Sequence, residues 1–447
     1  MNIRTALPRR HTAHTLVWIT LAALAVRAVL VPVESGDYRD FLHPWFEELR
    51  TYGGLAAVGR PVGNYMVTYI YILALLTHLP LPELVSIKLV SVLGDVLLAL
   101  VCRRFARSVT DSKRAADAAY AAALFLPSVV LNSAAWAQCD SLYTTALIAC
   151  LLHLHEDRPA RAMLAFSVGF VFKLQSVFLA PVLLAALVLF LLAPNRGAAA
   201  RAGIFDGLNC AHRGLHSKDR TVPENSLPAF RAAAESGYGI ELDVQLSSDE
   251  AVVVFHDDTL DRVCGVHGCV DAFSLEELRA MRLCGTQEGI PLFTEVLETV
   301  AGRSPLIVEL KTGPRNDLLC RKTLEILRAY DGPFCIESFD PRCLIWLRKN
   351  RPEIIRGQLS SQFLRHGETA GHGKLTMWLL GNLMTNIAVQ PDFIAYRFQD
   401  RKNPALAWCR KFYKVQEIDW TIRTKEEMQA AEQEGNLVIF ECFDPRA

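Results

Sequence analysis

Two carboxylates and a histidine lie close together in the second half of the chain. Glu241 and Asp243 are two residues apart, so on a β-strand their side chains point to the same face. A polar turn signal at 248–249 and the strand-like run 252–255 then lead to His256. If the chain folds back there, position 241 lies across from position 256. The three side chains either bind a divalent cation beside a proton-transfer group or form an ordinary solvated strand face.

Alternating strand-like and helical runs from Gly207 onward predict the elements that position these residues. This alternation predicts an α/β fold, a (β/α)8 TIM barrel. Nine strands are predicted for eight places, and the connection 247–250 is too short for a crossover helix. We therefore interpret 252–256 as the returning arm of a hairpin above the barrel mouth. The predicted strands are 208–212, 239–244, 252–256, 305–310, 333–338, 354–358, 392–396, 415–420 and 437–441, and predicted helices include 226–236, 274–282, 293–301, 316–329 and 424–434.

Polar residues stand at the carboxyl ends of several of these strands. Active sites of TIM barrels are built at that end, so these side chains are expected to converge on one mouth. A single histidine at a strand end is more often structural, but several polar groups in chain order are harder to reach by chance. The residues are His212, Arg213, Glu241, Asp243, His256, Glu309 and Lys311.

This set of side chains suits the cleavage of a phosphodiester. The three carboxylates offer oxygen ligands for Ca²⁺ or Mg²⁺, and such a cation neutralises a phosphate oxygen and activates a hydroxyl or water. Arg213 can donate two hydrogen bonds to phosphate oxygens, and Lys311 adds a point charge. The two histidines supply a base for the nucleophile and an acid for the leaving alcohol.

Six motifs cover the second half of the chain in order. They are Ala211-His212-Arg213-Gly214, Pro223-Glu224-Asn225-Ser226, Glu241-Leu242-Asp243-Val244, Val254-Phe255-His256-Asp257, Glu309-Leu310-Lys311 and Trp420-Thr421. Through these motifs residues 205–447 resemble the glycerophosphodiester phosphodiesterase family. The resemblance implies a TIM barrel with a small insertion at roughly 257–295 and hydrolysis of glycerophosphodiesters to sn-glycerol 3-phosphate and an alcohol.

The resemblance also implies a role for each matched side chain. His212 and His256 would be the catalytic acid/base pair, and Glu241, Asp243 and Glu309 the ligands of a divalent cation, Ca²⁺ or Mg²⁺. Arg213 and Lys311 would bind phosphate, and Trp420 would pack on the glycerol, although it fits the barrel core equally well. The first attack comes either from the glycerol 2-hydroxyl, through a cyclic intermediate, or from water.

Neighbouring polar residues are given plainer interpretations. Glu224 and Asn225 are expected to cap the helix from Ser226 and shape the wall of the site. Asp257 and Asp258 are interpreted as turn residues or supports of the site, and His216 and His267 as groups of surface loops.

The first half of the chain has a different composition. Apolar residues make up 51% of the sequence and concentrate in 14–193. The whole chain has 47 basic and 47 acidic residues, so it carries no net charge, which does not suggest a nucleic-acid partner. We predict an all-α multi-span transmembrane region of about six to seven helices over 1–194, a linker at 195–204 and the barrel domain at 205–447. Twelve cysteines without a disulfide pattern indicate a reducing compartment.

Basic residues predict the topology of this membrane region. Arginines before the first apolar run place the N-terminus in the cytoplasm, and the cluster 103–114 should face the cytoplasm as well. Seven simple spans contradict this arrangement, but it holds if 63–101 crosses the membrane once. The chain is then a multi-pass protein of the inner or cell membrane with a cytoplasmic barrel. The apolar run 377–384 is too short to span, and it either covers the barrel or touches the membrane surface.

Polar stretches at 35–40, 136–141 and 172–175 interrupt the apolar region. With them residues 14–194 resemble part of the GT-C type of glycosyltransferase, the mannosyltransferase-like enzymes that use polyprenyl-phosphate sugars. In that family an acidic residue of the first outer loop acts as base or metal contact, a place that Asp37 or Asp40 would take. The leading interpretation is a membrane-bound hydrolase with a small-molecule glycerophosphodiester substrate, free or lipid-bound; the alternative is a glycosyltransferase with the barrel as accessory domain.

Overall fold

The computed structural model of the chain describes residues 10–195, 197, 207–369 and 371–446. Its contacts divide the chain into two units, residues 1–186 and 187–447. Most of the predicted linker 195–204 lies outside the described residues, as do Arg4 and Arg9 of the basic N-terminal segment.

The first unit is helical, in agreement with the prediction. Its helices are α1 (Arg10–Leu30), α2 (His43–Thr51), α3 (Val67–Leu76), α4 (Glu83–Thr110), α5 (Lys113–Phe125), α6 (Pro127–Val130), α7 (Asp140–His155), α8 (Pro159–Phe172) and α9 (Ala180–Leu192), whose last turns belong to the second unit. Short π or 3-10 turns lie at Tyr38–Leu42, Gly54–Ala57, Leu131–Ala135 and Leu174–Leu179.

Only some of these helices reach the length of a membrane span. Within the described residues, Glu83–Thr110 and Leu174–Leu192 are long and apolar enough, and the bent pair α5 and α6 with its π turn is a third candidate if it counts as one span. Val67–Leu76 has ten residues, so α4 is the one candidate span within 63–101. The six to seven spans expected from the sequence therefore stay a prediction.

A buried ion pair explains the arginine inside the first apolar run. Arg27 is 1% exposed, and its Nε donates to the Asp95 carboxylate of α4 at 2.9 Å. Ser133 and Ser141 donate to the same carboxylate, and a second guanidinium nitrogen donates to the Leu124 carbonyl oxygen. A buried charge is tolerated when it is paired and its hydrogen-bonding groups are satisfied.

The second unit contains a closed barrel of eight parallel strands, which confirms the predicted TIM barrel. Strand β1 pairs with both β2 and β9, so the eight parallel strands form a closed barrel. Strand β3 pairs with the carboxyl end of β2 in the antiparallel direction. The strands are β1 (Cys210–Ala211), β2 (Gly239–Leu246), β3 (Val252–Val254), β4 (Leu306–Leu310), β5 (Phe334–Ser338), β6 (Arg356–Ser360), β7 (Phe393–Arg397), β8 (Gln416–Ile422) and β9 (Leu437–Phe440).

Helices and short turns connect these strands and cover the barrel. They are α10 (Leu227–Glu235), α11 (Asp261–Cys264), α12 (Leu275–Ala280), α13 (Phe293–Val300), α14 (Asn316–Leu327), α15 (Pro341–Asn350), α16 (Phe363–His366), α17 (Lys374–Gly381), α18 (Asn386–Val389), α19 (Pro404–Trp408) and α20 (Lys425–Gln433), with a π turn at Cys409–Tyr413. Residues between β3 and α13 form the predicted insertion, whose own small apolar core includes Leu260, Val270 and Leu278.

The hairpin of β2 and β3 exists, but its register differs from the prediction. Val244 pairs with Val254, and the Phe255 amide donates to the Asp243 carbonyl oxygen. This register places position 256 across from 242 and not from 241, because Leu246 and Val252 close the turn. His256 lies just beyond the end of β3.

Alternation along β2 separates the apolar core from the site. Ile240, Leu242 and Val244 belong to the apolar layer between the strands and the helices, in which each fully buried aliphatic side chain contributes about 1.5–3 kcal/mol. Glu241 and Asp243 therefore face the barrel axis, where the apolar residues of the other strands, such as Ile307 and Leu359, fill the interior.

Candidate active site

A cavity of about 1100 Å³ opens at the carboxyl ends of the barrel strands. Seven of the eight side chains predicted from the sequence line it, and the eighth, Asp243, lies directly behind them with no exposed surface. The seven are His212, Arg213, Glu241, His256, Glu309, Lys311 and Trp420.

Three of the carboxylates form one cluster. Glu241, Asp243 and Glu309 are all buried, and one oxygen of each lies within 4.8 Å of the others. The pairing of β2 with β4 sets Asp243 beside Glu309. Burial, followed by the charges of Asp243 and Glu309, raises the pKa of Glu241 well above its usual range. Such a crowded set of hard oxygen donors is suited to Ca²⁺ or Mg²⁺, whose charge would offset the repulsion.

Two cations lie against this cluster. Lys311 Nζ is 2.9 Å from Glu309 Oε1 and 3.4 Å from Asp243 Oδ1. Although burial opposes it, the charges of these two carboxylates raise the pKa of Lys311, so the ammonium group stays charged. Arg213 Nε lies 3.6 Å from Asp243 Oδ2, and it is a buried donor without a hydrogen-bond partner among the described residues. Both groups are placed to bind an anion such as a phosphate.

The loop after β1 has a conformation that places Arg213 in the site. Arg213 itself has a φ of 56°, and its amide donates to Glu241 Oε2 at 3.0 Å. Gly214 follows with a φ of 78°, and a Cβ there would stand 2.8 Å from the carbonyl carbon of Ala229. Only glycine fits this position without moving α10.

Each histidine is held by a carboxylate through Nδ1. His212 Nδ1 lies 2.6 Å from Glu441 Oε2, and His256 Nδ1 lies 2.6 Å from Asp257 Oδ1. A carboxylate at Nδ1 favours the tautomer in which Nε2 is free to take or give a proton. Burial and the charge of Arg213 lower the pKa of His212 to about 4, against the opposite effect of Glu441.

A chain of charges joins the insertion to Arg213. Arg262 donates to Asp257 at 2.6 Å and to Glu224 at 2.7 Å and 2.8 Å. Glu224 in turn accepts from Arg213 at 2.6 Å. The network connects His256, through Asp257, Arg262 and Glu224, with the guanidinium group of Arg213.

Several plain interpretations of neighbouring residues were wrong. Ser226 alone caps α10. Glu224 does line the cavity wall, as expected, but it pairs with arginines, and Asn225 donates to Asp243 at 2.8 Å. His216 is not a surface group, because its Nε2 lies 3.9 Å from the Glu441 carboxylate in the cavity wall. His267 is exposed, as expected.

Two carboxylates of the site were not predicted. Glu441 follows β9, and Glu337 lies on β5 in register with Glu309. Glu337 is 1% exposed, its Oε2 has no hydrogen-bond partner among the described residues, and burial and nearby carboxylates raise its pKa well above the usual range. Both stand at the ends of predicted strands, which is the signal that identified Glu309.

The remaining wall of the cavity is aromatic and apolar. The Trp420 ring packs edge-to-face on Phe339 at 5.6 Å, and the Arg397 guanidinium carbon lies 5.2 Å from its centroid. Trp420 thus contributes to both the barrel core and the cavity, the two interpretations that the sequence left open. Residues of α16 and α17 also contribute to this wall, namely Phe363, Met377, Leu379 and Leu380.

Comparisons with known proteins agree on the second unit. The sequence pattern of the glycerophosphoryl diester phosphodiesterase family matches residues 212–440. A glycerophosphodiester phosphodiesterase of Caldanaerobacter subterraneus is 30% identical over 235 residues, 49% of this chain and 87% of that protein. One of Bacillus altitudinis is 40% identical over 108 residues, 23% of this chain and 43% of that protein.

Among solved structures, an Oleispira antarctica phosphodiesterase in complex with the product sn-glycerol-3-phosphate is similar to this chain. The similarity covers 54% of this chain and 94% of the Oleispira chain. The TM-score is 0.44 and the sequence identity 24%.

Proposed function

The chain belongs to the glycerophosphoryl diester phosphodiesterase family, and from this membership we propose that it is a membrane-anchored, metal-dependent hydrolase of glycerophosphodiesters. The reaction class follows from the family: the chain is a phosphoric diester hydrolase. Dependence on a cation, anchoring in the membrane and the role of each side chain are the proposal. The observation that carries it is the buried cluster of three carboxylates beside two histidines in one cavity.

Glu241, Asp243 and Glu309 would hold the divalent cation that the family uses. The buried carboxylates fit such an ion, since their mutual repulsion needs a positive charge and their oxygens are the donors that Ca²⁺ and Mg²⁺ prefer. When bound, the ion supplies charge neutralisation at the phosphate and acidifies a nearby hydroxyl. The cluster provides no nitrogen or sulfur ligand that would favour zinc.

The other side chains divide the remaining work. Arg213 and Lys311 bind the phosphate oxygens. His212, kept neutral by its lowered pKa, takes the proton of the attacking hydroxyl, which belongs to water or to the glycerol 2-hydroxyl. His256, oriented by Asp257, gives a proton to the oxygen of the leaving alcohol as the phosphorus–oxygen bond breaks. The products after hydrolysis are sn-glycerol 3-phosphate and an alcohol.

Membrane anchoring rests on the two helices that are long and apolar enough to span. We place the barrel in the cytoplasm of a multi-pass protein, since the basic segments are expected to face inward. The free cysteines, of which five in the barrel are fully or nearly fully buried, agree with a reducing compartment. Domain limits at 194 and 205 are part of the same proposal.

The test is hydrolysis of glycerophosphocholine by the full chain in detergent, followed through released sn-glycerol 3-phosphate. We expect activity that EDTA abolishes and that Ca²⁺ or Mg²⁺ restores, and loss of activity in His212→Ala and His256→Ala. Glu276→Gln, an exposed carboxylate of α12, is the matched control and should behave as wild type. A full rate in EDTA would refute the metal dependence, and an inert chain with every divalent cation would refute the activity.

A second candidate function concerns the helical unit, and one observation favours it. Gln138 donates to Asp37 at 3.0 Å, and Lys173 forms an ion pair with Asp140, so the polar stretches noted in the sequence meet in space. A sugar transfer of the GT-C type from a polyprenyl phosphate would use Asp37 or Asp40 there. Asp37→Asn or Asp40→Asn should then stop sugar transfer and leave phosphodiester hydrolysis unchanged; wild-type transfer in both variants would contradict it.

A further inference from the structure

In the barrel itself, large apolar side chains are exposed in only a few segments. Among the described residues from 207 onward there are four of them: Leu364, Leu375, Trp378 and Phe412, of which Leu375 is 70% exposed. Three belong to α16 and α17, and the fourth to the π turn at Cys409–Tyr413. Soluble proteins usually scatter such residues singly, so this concentration indicates a contact surface.

The end of a candidate span is fixed to the same part of the barrel. Leu192, the last residue of α9, is fully buried in a cluster with Leu383 and Leu406. Its carbonyl oxygen accepts a hydrogen bond from Asn386 at 3.2 Å, and the Tyr413 hydroxyl donates to the Leu189 carbonyl oxygen at 2.5 Å. The helix end therefore lies against residues that directly follow α17 and against the turn that carries Phe412.

Two hydrogen bonds continue this attachment past the helix. The Asn195 amide donates to the Pro391 carbonyl oxygen at 2.9 Å, and its side chain donates to Asp392 at 2.7 Å. The segment 189–195 is thus held to the barrel by side chains and backbone together.

The charges on these segments are mainly positive. Arg365, Lys374, Lys411 and Lys414 are exposed, although Arg365 also lies 3.4 Å from the buried Asp400 carboxylate; the exposed Glu368 is paired with Arg397. Cations beside exposed apolar residues and a tryptophan are the composition of surfaces that sit in the headgroup region of anionic bilayers.

We propose that Leu364, Leu375, Trp378 and Phe412, with the four exposed cations, form a membrane-contact surface that lies in the headgroup layer of an anionic bilayer. A lipid bilayer is favoured over a protein partner because the surface adjoins the end of Leu174–Leu192, a helical segment long and apolar enough to span a membrane. Such a helix ends where the hydrocarbon ends. The inference rests on the membrane anchoring proposed above.

This surface has a consequence for access to the site. Helix α17 exposes Leu375 and Trp378 on one side, and on the other its Met377, Leu379 and Leu380 line the cavity. A bilayer that contacts α17 therefore lies next to one wall of the cavity mouth.

The test is photolabelling of the full chain in vesicles of phosphatidylcholine and phosphatidylglycerol that contain a diazirine phospholipid, with the labelled residues located by mass spectrometry. We expect label in 174–192 and also in peptides that contain 375–378 and 412. In the triple variant Leu375→Ser, Trp378→Ser and Phe412→Ser, label in the barrel peptides should fall at least about fivefold while label in 174–192 stays. Glycerophosphocholine hydrolysis in detergent should stay within about twofold of wild type, because none of the three lines the cavity.

Charge is tested with a matched pair of variants. Lys374→Gln with Lys411→Gln should weaken labelling of the barrel peptides in phosphatidylglycerol vesicles, whereas Lys349→Gln with Lys425→Gln, exposed cations of other helices, should not. Label in 174–192 without label after 195 would overturn the surface and leave the anchoring intact. Absence of label from both regions would overturn the anchoring and the surface with it.

Discussion

The hydrogen bond between His212 and Glu441 allows a quantitative prediction. The two atoms are 2.6 Å apart, and the side chains are only 14% and 12% exposed, so solvent screens the interaction little. Glu441→Gln keeps the shape of the side chain and removes its charge. Hydrogen bonds to charged groups contribute about 1.5–3 kcal/mol, so kcat/KM should fall about 10- to 150-fold if Glu441 stabilises the protonated His212 that forms during reaction.

The assay is a double-mutant cycle on glycerophosphocholine hydrolysis at saturating cation. Glu441→Gln, His212→Ala and the double variant are compared with wild type, and Glu276→Gln serves as a charge control. Since Glu441 acts through His212, it should have no further effect once His212 is gone. Loss of the negative charge also lowers the pKa of His212, so the acidic limb of the kcat/KM profile should move to lower pH.

Two results would refute this reasoning. A Glu441→Gln enzyme within about twofold of wild type would mean that the carboxylate does not support catalysis. A loss of equal size in the His212→Ala background would mean that Glu441 acts on something else, for example through its ion pair with Arg423.

Three further changes have defined outcomes. Glu241→Gln should raise the cation concentration for half-maximal activity at least about tenfold, because one of three charged ligands is lost; metal titration of the rate measures it. Gly214→Ala should lower the free energy of unfolding by about 2–3 kcal/mol, from its left-handed φ and the close Ala229 backbone, as measured by denaturation. Asp419→Asn should flatten the pH dependence of the free energy of unfolding of the barrel. Burial raises the pKa of Asp419 in the folded state. The wild-type carboxyl therefore contributes stability at low pH, and this stability is lost as pH rises from about 4 through the raised pKa.

Each of these changes has a control. Glu276→Gln should leave the metal titration unchanged. An unshifted titration curve in Glu241→Gln would argue against Glu241 as a ligand of the cation. Gly285 has a φ of 73° and open space where a Cβ would stand, so Gly285→Ala measures backbone strain alone. An equal loss of stability in Gly214→Ala and Gly285→Ala would mean that the contact with Ala229 costs nothing. Asp249→Asn, an exposed carboxyl with a lowered pKa, should change the pH slope in the opposite sense; a slope in Asp419→Asn equal to wild type would contradict the prediction.

Local patterns were sufficient to predict the barrel but not all of its contacts. Alternation within β2 identified the face that carries Glu241 and Asp243, because a period of two is a property of each strand by itself. The register of the hairpin was missed by one residue, since it depends on how Leu246 and Val252 close the turn. Glu441 was missed because its importance comes from β1 pairing with β9, a contact between segments more than 220 residues apart.

The helical half was harder to predict for a similar reason. Hydropathy locates apolar runs, but it does not give the length of helix that each run forms. The run 63–80 became a ten-residue α3, while the next run extended past its charges to Thr110. Arg27 shows the same limit, because its partner Asp95 lies on another helix.

Closure of the barrel between β1 and β9 imposes an order on biosynthesis. During translation Glu241, Asp243, Glu309 and both histidines leave the ribosome long before Glu441 does, and the helical segments precede them all. Until β9 is made, β1 has one neighbour instead of two and His212 lacks its partner. A nascent or prematurely terminated chain that lacks β9 therefore carries most of its site residues in a barrel that is still open, and hydrolytic competence waits for that strand.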